Sequence, residues 1–326
     1  MLFKATSDIA AHVEINDNAT FDLLVPSVQA ATLEYIIPAI SDEFYLELEE
    51  KYTTGAELDP KEQEVLKRLQ SALANYMLCI YGPKGMVRVG DAGIVETNSA
   101  NTTPTRQWVL RSWKRAHMKA GDKALDYALK YLEDNKEFFT TWAESEAYTE
   151  SKELIFRNAG QLAEYINVSN SRRTFMKLKP FIRRAERRVL RQVLGDDLFQ
   201  EVKDNLKAAA PGEQYTKLLQ EYIRPAMAPI VLQMGISEMN LEVSEDGIRI
   251  KSTNDGLEQD QPAGSDDKSA LFRSLDTNGE AELEDLKQFL MKEIDTYPAF
   301  ESSKVYMDRT SGSKPWDSNG KTWVIV

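Results

Sequence analysis

The chain has 326 residues, of which 42% are hydrophobic and 28% are charged, and its formal net charge is −12. This length predicts about two domains, each able to bury its own core. The negative charge argues against a protein that coats nucleic acid, although DNA could still slide past it. The single cysteine, Cys79, indicates a reducing compartment, and no uninterrupted apolar run reaches about 18 residues. Neither secretion nor membrane insertion is therefore expected.

An internal duplication organises the sequence. Residues 20–48 match residues 174–202 without a gap at an offset of 154, and apolar positions between the identical pairs also match in kind at helical spacing. The identical pairs are Thr20/Thr174, Phe21/Phe175, Leu24/Leu178, Pro26/Pro180, Ala31/Ala185, Asp42/Asp196 and Glu47/Glu201. The offset continues to Gly93/Gly247 and becomes 158 at Gly121/Gly279. A repeat this long indicates duplicated domains rather than a solenoid. We expect copy one at 1–150, copy two at 151–310 and a C-terminal extension at 311–326.

Each copy is predicted to be mainly helical, in the same order of elements. Brief helices at 7–13 and 159–166 precede an amphipathic helix, in which Pro26 and Pro180 are expected in the first turn. Pro38 should kink or end the first of these helices. Short helices at 42–52 and 196–206 come next, followed by long helices at about 60–81 and 213–234, the second bent at Pro225 and Pro229.

The pattern then changes from helical to alternating. Residues 86–95 and 241–250 predict a β-hairpin in each copy, with a four-residue turn closed by glycine. Polar loops at 97–106 and 252–269 follow, and further helices close each copy. The extension ends in Trp323, Val324 and Ile325 within residues 322–326, a strand-like segment that we expect to pair with another chain or with copy one.

No motif predicts catalysis, a cofactor or a metal. The segment 276–280 resembles the start of a calcium loop, but Ala281 and Lys287 stand where glycine and glutamate are required, so a helix N-cap at Asp276 is the better interpretation. The segment 82–85 lacks the spacing of a phosphate loop and indicates a helix end. His12 and His117 have no partner at ligand spacing. Cys79 lies on an apolar helical stretch, which favours a structural thiol over a reactive one.

The most unusual charge feature is a cluster of arginines on the amphipathic helix of copy two. Helical spacing places Arg183, Arg187 and Arg191 on one face, with Arg184 and Arg188 beside them. Copy one has Gln29, Ala30, Leu33, Glu34 and Ile37 at the matching positions. The arginine cluster is either a solvated face paired with acidic neighbours or a contact surface for phosphates or an acidic partner.

The order of an amphipathic helix, an acidic short helix, a long Ala/Leu-rich helix at 69–81 and a hairpin resembles the head–tail connector (adaptor or head-completion) proteins of tailed bacteriophages. The tandem form is similar to an uncharacterised phage and prophage family of this length. The resemblance implies a structural virion protein and not an enzyme, assembled in the host cytoplasm. It would form a ring of about twelve subunits to match a portal.

The partners that the resemblance implies are the portal protein, tail or neck proteins, and DNA that passes through the channel without sequence recognition. No membrane partner and no cofactor is expected. Ring closure also fits the residues, because hairpins, polar tips and a strand-like terminus can be completed by a neighbouring subunit. Two alternatives stay open: a non-viral helical interaction or scaffold protein, and an enzyme with an unrecognised site.

Overall fold

A computed structural model describes residues 1–16, 19–90, 93–96, 105–168, 172–208, 210–238, 241–244, 247–250 and 265–310. Within these ranges the protein is mainly helical. The first half contains α1 (Thr6–Ala10), α2 (Phe21–Ala31), α3 (Ile37–Ile40), α4 (Asp42–Thr54), α5 (Pro60–Gly85), β1 (Val87–Gly90), β2 (Gly93–Glu96), α6 (Gln107–Asp134), α7 (Thr140–Ala143) and α8 (Glu146–Glu153).

The second half repeats this order. It contains α9 (Ala159–Ala163), α10 (Arg172–Ala185), α11 (Arg191–Leu194), α12 (Asp196–Lys207), α13 (Glu213–Lys217), α14 (Arg224–Glu238), β3 (Leu241–Ser244), β4 (Gly247–Ile250), α15 (Ser265–Lys292), a 3₁₀ helix (Pro298–Ser302) and α16 (Lys304–Thr310). The elements after α9 stand at the offsets of 154 and then 158 that the sequence predicts.

Buried apolar side chains form two clusters, one in each half. The first cluster runs from Leu2 to Tyr148 and the second from Leu154 to Phe300. Each cluster is built mainly around a pair of long antiparallel partners, α5 with α6 and α14 with α15. The expected boundary at residue 150 falls inside α8, which contacts both α3 of copy one and α12 of copy two. Helix α8 therefore joins the two copies.

Equivalent side chains hold the first extended segment of each copy. Gln70 Nε2 donates to the carbonyl oxygen of Leu2 at 2.7 Å, and Arg224 Nε donates to that of Ile155 at 2.9 Å. Gln70 and Arg224 are 154 residues apart, while Leu2 and Ile155 are 153 apart, the one-residue difference seen in the sequence near the start of each copy. The two halves thus make the same contact, with a glutamine amide as the donor in copy one and an arginine guanidinium in copy two.

The close packing of the long helices is also repeated. A Cβ atom on Gly121 would lie 2.8 Å from the ring of Tyr76, and one on Gly279 would lie 3.0 Å from the side chain of Ile230. Tyr76 and Ile230 occupy the same position of the two copies. A methyl group at Gly121 would force the ring of Tyr76 to move, and one at Gly279 would be tightly packed against Ile230, so both glycines allow a close approach of the long helices.

Two sequence predictions about helix starts and prolines were wrong. Pro26 and Pro180 lie inside α2 and α10 rather than in the first turn. Asp276 lies within α15 and accepts a hydrogen bond from Gln233 at 2.6 Å, so it is not an N-cap. In both cases the helix begins earlier than its local signal. The helix end predicted at 82–85 is confirmed, because α5 continues through Pro83 and ends at Gly85.

Wide π-helical turns follow α2 and α10 at equivalent residues, Thr32–Ile36 and Glu186–Leu190. Copy two has Gln192 where copy one has Pro38, so the proline is not the cause of this turn. The helix continues through Pro38 to Ile40. A third π-turn, Leu218–Ile223, ends two residues before Pro225. A wide turn at this position relieves the clash of the proline ring with the preceding turn of the helix.

Strand β1 pairs antiparallel with β2, and β3 pairs antiparallel with β4. The closing pairs, Gly90 with Gly93 and Ser244 with Gly247, are again 154 residues apart. The intervening residues, 91–92 and 245–246, lie outside the described residues, as does most of each predicted loop, 97–106 and 252–269. The second loop ends earlier than predicted, because α15 begins at Ser265.

By its length and composition alone, the segment Phe21–Ile40 could cross a membrane, although it contains two charged residues. Because these charges interrupt the apolar run, a search for uninterrupted apolar residues does not find this segment. Leu24, Val28, Ala31 and Ile36 of this segment are buried in the core of copy one. A core helix of this kind passes the same test, so the length and composition of the segment are weak evidence for membrane insertion.

Candidate interaction surface

The predicted arginine cluster lies on α10, its π-turn and α11. Arg183, Arg187, Arg188 and Arg191 are exposed, and Arg184 is partly exposed. The helix is oriented by its apolar side, because Leu178, Ile182 and Ala185 are buried in the core of copy two. The basic side therefore faces outward.

Three of the five arginines have carboxylate partners in the same chain. Arg183 contacts Glu150 of α8 at 2.8 Å, and Arg191 contacts Asp196 at 2.6 Å. Arg184 pairs with Glu238 at the end of α14, and its guanidinium lies 5.2 Å from the ring centroid of Phe181. For these three residues, the interpretation as a face paired with acidic neighbours is confirmed.

Arg187 and Arg188 differ from the others. Neither has an ion pair or hydrogen bond with any residue in the part of the chain that the structure describes. They are adjacent within the π-turn, so two positive charges project together into solvent. This pair is the part of the cluster that remains open to another molecule.

Glu186 fixes the opposite side of this π-turn. It is 5% exposed, accepts a hydrogen bond from the backbone N–H of Ile155 at 2.7 Å, and pairs with Lys203 of α12 at 2.8 Å. Burial raises the pKa of Glu186, while Lys203 and the N–H of Ile155 oppose that shift. Sequence analysis did not single out Glu186, although it is the only acid within the arginine cluster.

Several ion pairs contribute to the contact between the copies. Glu150 of α8 contacts Lys179 at 3.2 Å as well as Arg183, and Glu153 contacts Lys207 of α12 at 2.9 Å. Burial would raise the pKa of Glu150, but the hydrogen bonds from Lys179 and Arg183 outweigh it and hold the pKa below its usual value. An acidic helix of copy one is thus seated on basic residues of copy two.

The surface also has an open groove of about 790 Å³ beside α8. Its lining is mixed, with apolar, hydroxyl and acidic side chains: Ile37, Pro38, Ser41, Asp42, Glu43, Thr140, Thr141, Glu144, Ser145, Glu146, Ala147 and Glu150. These lining residues include no histidine, cysteine or basic residue.

The cysteine and the two histidines that were considered as site residues from the sequence lie in surroundings that the structure defines. Cys79 is buried, with its Sγ 3.4 Å from the carbonyl oxygen of Lys114. His117 Nδ1 lies 2.9 Å from Asn75 Oδ1, and burial lowers the pKa of both His117 and His12. Among the residues that the structure describes, no group of three histidine, cysteine, aspartate or glutamate side chains could hold a metal ion. Trp323, Val324 and Ile325, like all of 311–326, lie outside the described ranges.

A model of a family of unknown function, DUF6712, matches residues 16–152 and 190–310, one segment in each half of the chain. Two matched segments agree with the internal duplication. No curated protein and no solved structure matches the chain. The matched segments cover most of the sequence, and the chain belongs to the DUF6712 family.

Proposed function

We propose that this protein is a structural component of tailed-phage particles, a head–tail connector that forms a ring below the portal. In this role it extends the DNA channel and provides a docking surface for the tail. It acts in the virion after assembly in the host cytoplasm, and it needs no cofactor. The proposal develops the resemblance in the order of helical elements.

The observation that carries the proposal is the unpartnered pair Arg187 and Arg188. Two adjacent exposed arginines in a chain of net charge −12 are suited to a partner that supplies carboxylates or phosphates. The portal, a tail protein and the DNA in the channel are such partners. A local pair of arginines on an acidic chain suits a local contact with such a partner and not the coating of DNA.

The strand pairs add further support. Strand β1 contacts α5, and β4 contacts α10, but each pair is only two-stranded. A two-stranded ribbon of four-residue strands is marginal in water without another surface to cover it. We propose that each pair is the hairpin of its copy and is completed by a neighbouring protein in the particle. The same contact is available to the segment 322–326.

Reversing the charge of the free arginines tests the proposed contact. The double variant Arg187→Glu, Arg188→Glu should change the free energy of unfolding by less than about 1 kcal/mol, since neither residue has a partner among the residues that the structure describes. Tailed particles counted by electron microscopy should fall about tenfold or more, because like charges would face each other at the contact.

The matched control is Lys123→Glu with Lys130→Glu, which reverses two exposed charges on α6. This variant should assemble as the unaltered protein does. If the arginine variant gives normal particle numbers, Arg187 and Arg188 form only a solvated face, and the proposed contact is contradicted. Arg184 is a poorer choice for charge reversal, because its pair with Glu238 and its contact with Phe181 would be lost as well.

A further inference from the structure

The groove beside α8 has carboxylates that lack partners among the described residues. Of the five acids in its lining, Glu150 is paired, with Lys179 and Arg183. The other four are exposed and have no ion pair or hydrogen bond with any described residue: Asp42, Glu43, Glu144 and Glu146. Apolar Ile37 and Pro38 line the same groove. An arginine suits such a lining, because its stem packs on apolar surface while its guanidinium binds carboxylates.

Copy two shows what the equivalent acid binds. Asp42 and Asp196 correspond, and each lies in the first turn of its helix, where a carboxylate is favoured. In copy two Arg191 contacts Asp196 at 2.6 Å, whereas copy one has Ile37 at the position of that arginine. The acid is therefore common to the two copies, while the arginine that pairs with it is present only in copy two.

A second charge difference at the groove lies on α8. Glu146, in the first turn of α8, corresponds to Lys304, in the first turn of α16, at the offset of 158. Both residues are exposed, so the fold accepts either charge at this position. The groove of copy one thus has the charge of a site for a cation from outside its own copy. At its Glu150 end, Arg183 of copy two already supplies one.

The arginines of the π-turn in copy two have the complementary properties. Arg187 and Arg188 are exposed, have no partner among the described residues, and do not line the groove of their own chain. Arg187 follows Arg183, the arginine that contacts Glu150, by four residues. A second copy of the chain therefore offers two adjacent guanidinium groups of the kind that the groove binds within the chain.

We infer that Arg187 and Arg188 of one chain bind in the acidic groove of a second copy. The two surfaces belong to different repeats, the arginine pair to copy two and the groove to copy one, so each chain can donate one and receive one. Such a contact is heterologous and produces a ring when its rotation closes. This inference names the partner of the arginine pair within the proposed ring, and it rests on the proposed function.

Exchanging the charges of the two surfaces tests the contact in the full-length protein by sedimentation and native mass spectrometry. The arginine variant is Arg187→Glu with Arg188→Glu, and the groove variant is Glu144→Lys with Glu146→Lys. Each variant alone should weaken self-association by about tenfold or more, because like charges would then meet. An equimolar mixture should assemble again, since the reversed surface of one variant is complementary to the reversed surface of the other.

Two further variants control for net charge and for the design of the groove variant. Glu50→Lys with Glu57→Lys makes the same change of net charge at exposed residues outside the groove and should assemble as the unaltered protein does. Ile37→Arg gives Asp42 the arginine that Asp196 has in copy two. This variant should fill the site from within the chain and weaken self-association as well. Circular dichroism of each variant shows whether its helices are retained.

The mixture decides the inference. Assembly of the mixture, together with monomers of the arginine variant and of the groove variant, would support it. A mixture that stays monomeric, or unaltered assembly of the groove variant or of Ile37→Arg, would overturn it while leaving the proposed connector function in place. If the unaltered protein forms only dimers and both variants abolish them, the contact is supported and the ring is contradicted. An unaltered protein that stays monomeric at high concentration would overturn the inference.

Discussion

Replacing Glu186 by alanine should lower the free energy of unfolding of copy two by about 3–5 kcal/mol. The substitution removes the partner of Lys203 and the acceptor for the N–H of Ile155, both next to a fully packed core. The partly buried ammonium group of Lys203 then keeps only the carbonyl oxygen of Glu153, and a buried N–H loses its acceptor, which costs more than the original pair contributes. Urea unfolding followed by circular dichroism measures the loss.

Two comparisons make the Glu186 result specific. Arg191→Ala removes an exposed ion pair from the same helix and should cost less than about 1 kcal/mol. Replacing both members of the buried pair, with Glu186→Leu and Lys203→Met, should recover much of the loss because no unpaired charge remains. Hydrogen exchange should locate the early opening in copy two. A loss below about 1 kcal/mol for Glu186→Ala would contradict the assigned role.

Ser41 and Gly195, the residues just before α4 and α12, lead to opposite predictions for how a substitution changes the stability of each copy. Ser41 has φ 76° and ψ 159°, and its counterpart Gly195 has φ 80° and ψ 168°. This region of backbone conformation is almost restricted to glycine and costs other residues about 1–3 kcal/mol. A Cβ on Gly195 would also lie 2.9 Å from Cα of Ser303. Gly195→Ala should therefore destabilise copy two by about 2–4 kcal/mol.

Ser41→Gly should instead stabilise copy one, by about 1 kcal/mol. The glycine removes the backbone cost and loses only a long 3.4 Å hydrogen bond from the N–H of Phe44. Thermal unfolding of the two variants beside the unaltered protein measures both effects. Changes of the same sign at residues 41 and 195 would contradict the assignment of these positions as equivalent strained junctions.

The duplication and most helices could be predicted from the sequence because their signal is periodic. The fixed offset places Gly121 and Gly279, or Gln70 and Arg224, at the same points of the two copies. The short helices were predicted within a few residues of their observed ends. The π-turns could not be predicted, since a wide turn keeps nearly the same apolar spacing as an α-helix and is stabilised by packing.

The candidate surface was predicted less completely. Its basic character is a local property of the sequence, so the five arginines were identified correctly as one cluster. Their partners come from residues far along the chain, such as Glu150 and Glu238 for Arg183 and Arg184. Only the folded arrangement separates the three arginines paired within the chain from Arg187 and Arg188, which have no partner among the described residues.

The role of α8 was also beyond the sequence. A short acidic segment near a domain boundary is typical of a linker. The contacts of Glu150 and Glu153 instead seat α8 on basic residues of copy two. The sequence does not reveal this contact, because the basic partners on α10 and α12 lie far along the chain from α8.

Gold-labelled antibody against this chain, applied to purified phage particles and viewed by electron microscopy, tests the central claim most directly. The account predicts label at the junction between head and tail, and mass spectrometry of the same particles should detect the chain in a fixed ratio to the portal. Particles that lack the chain, or label along the head surface or the tail tube, would contradict its assignment as a head–tail connector.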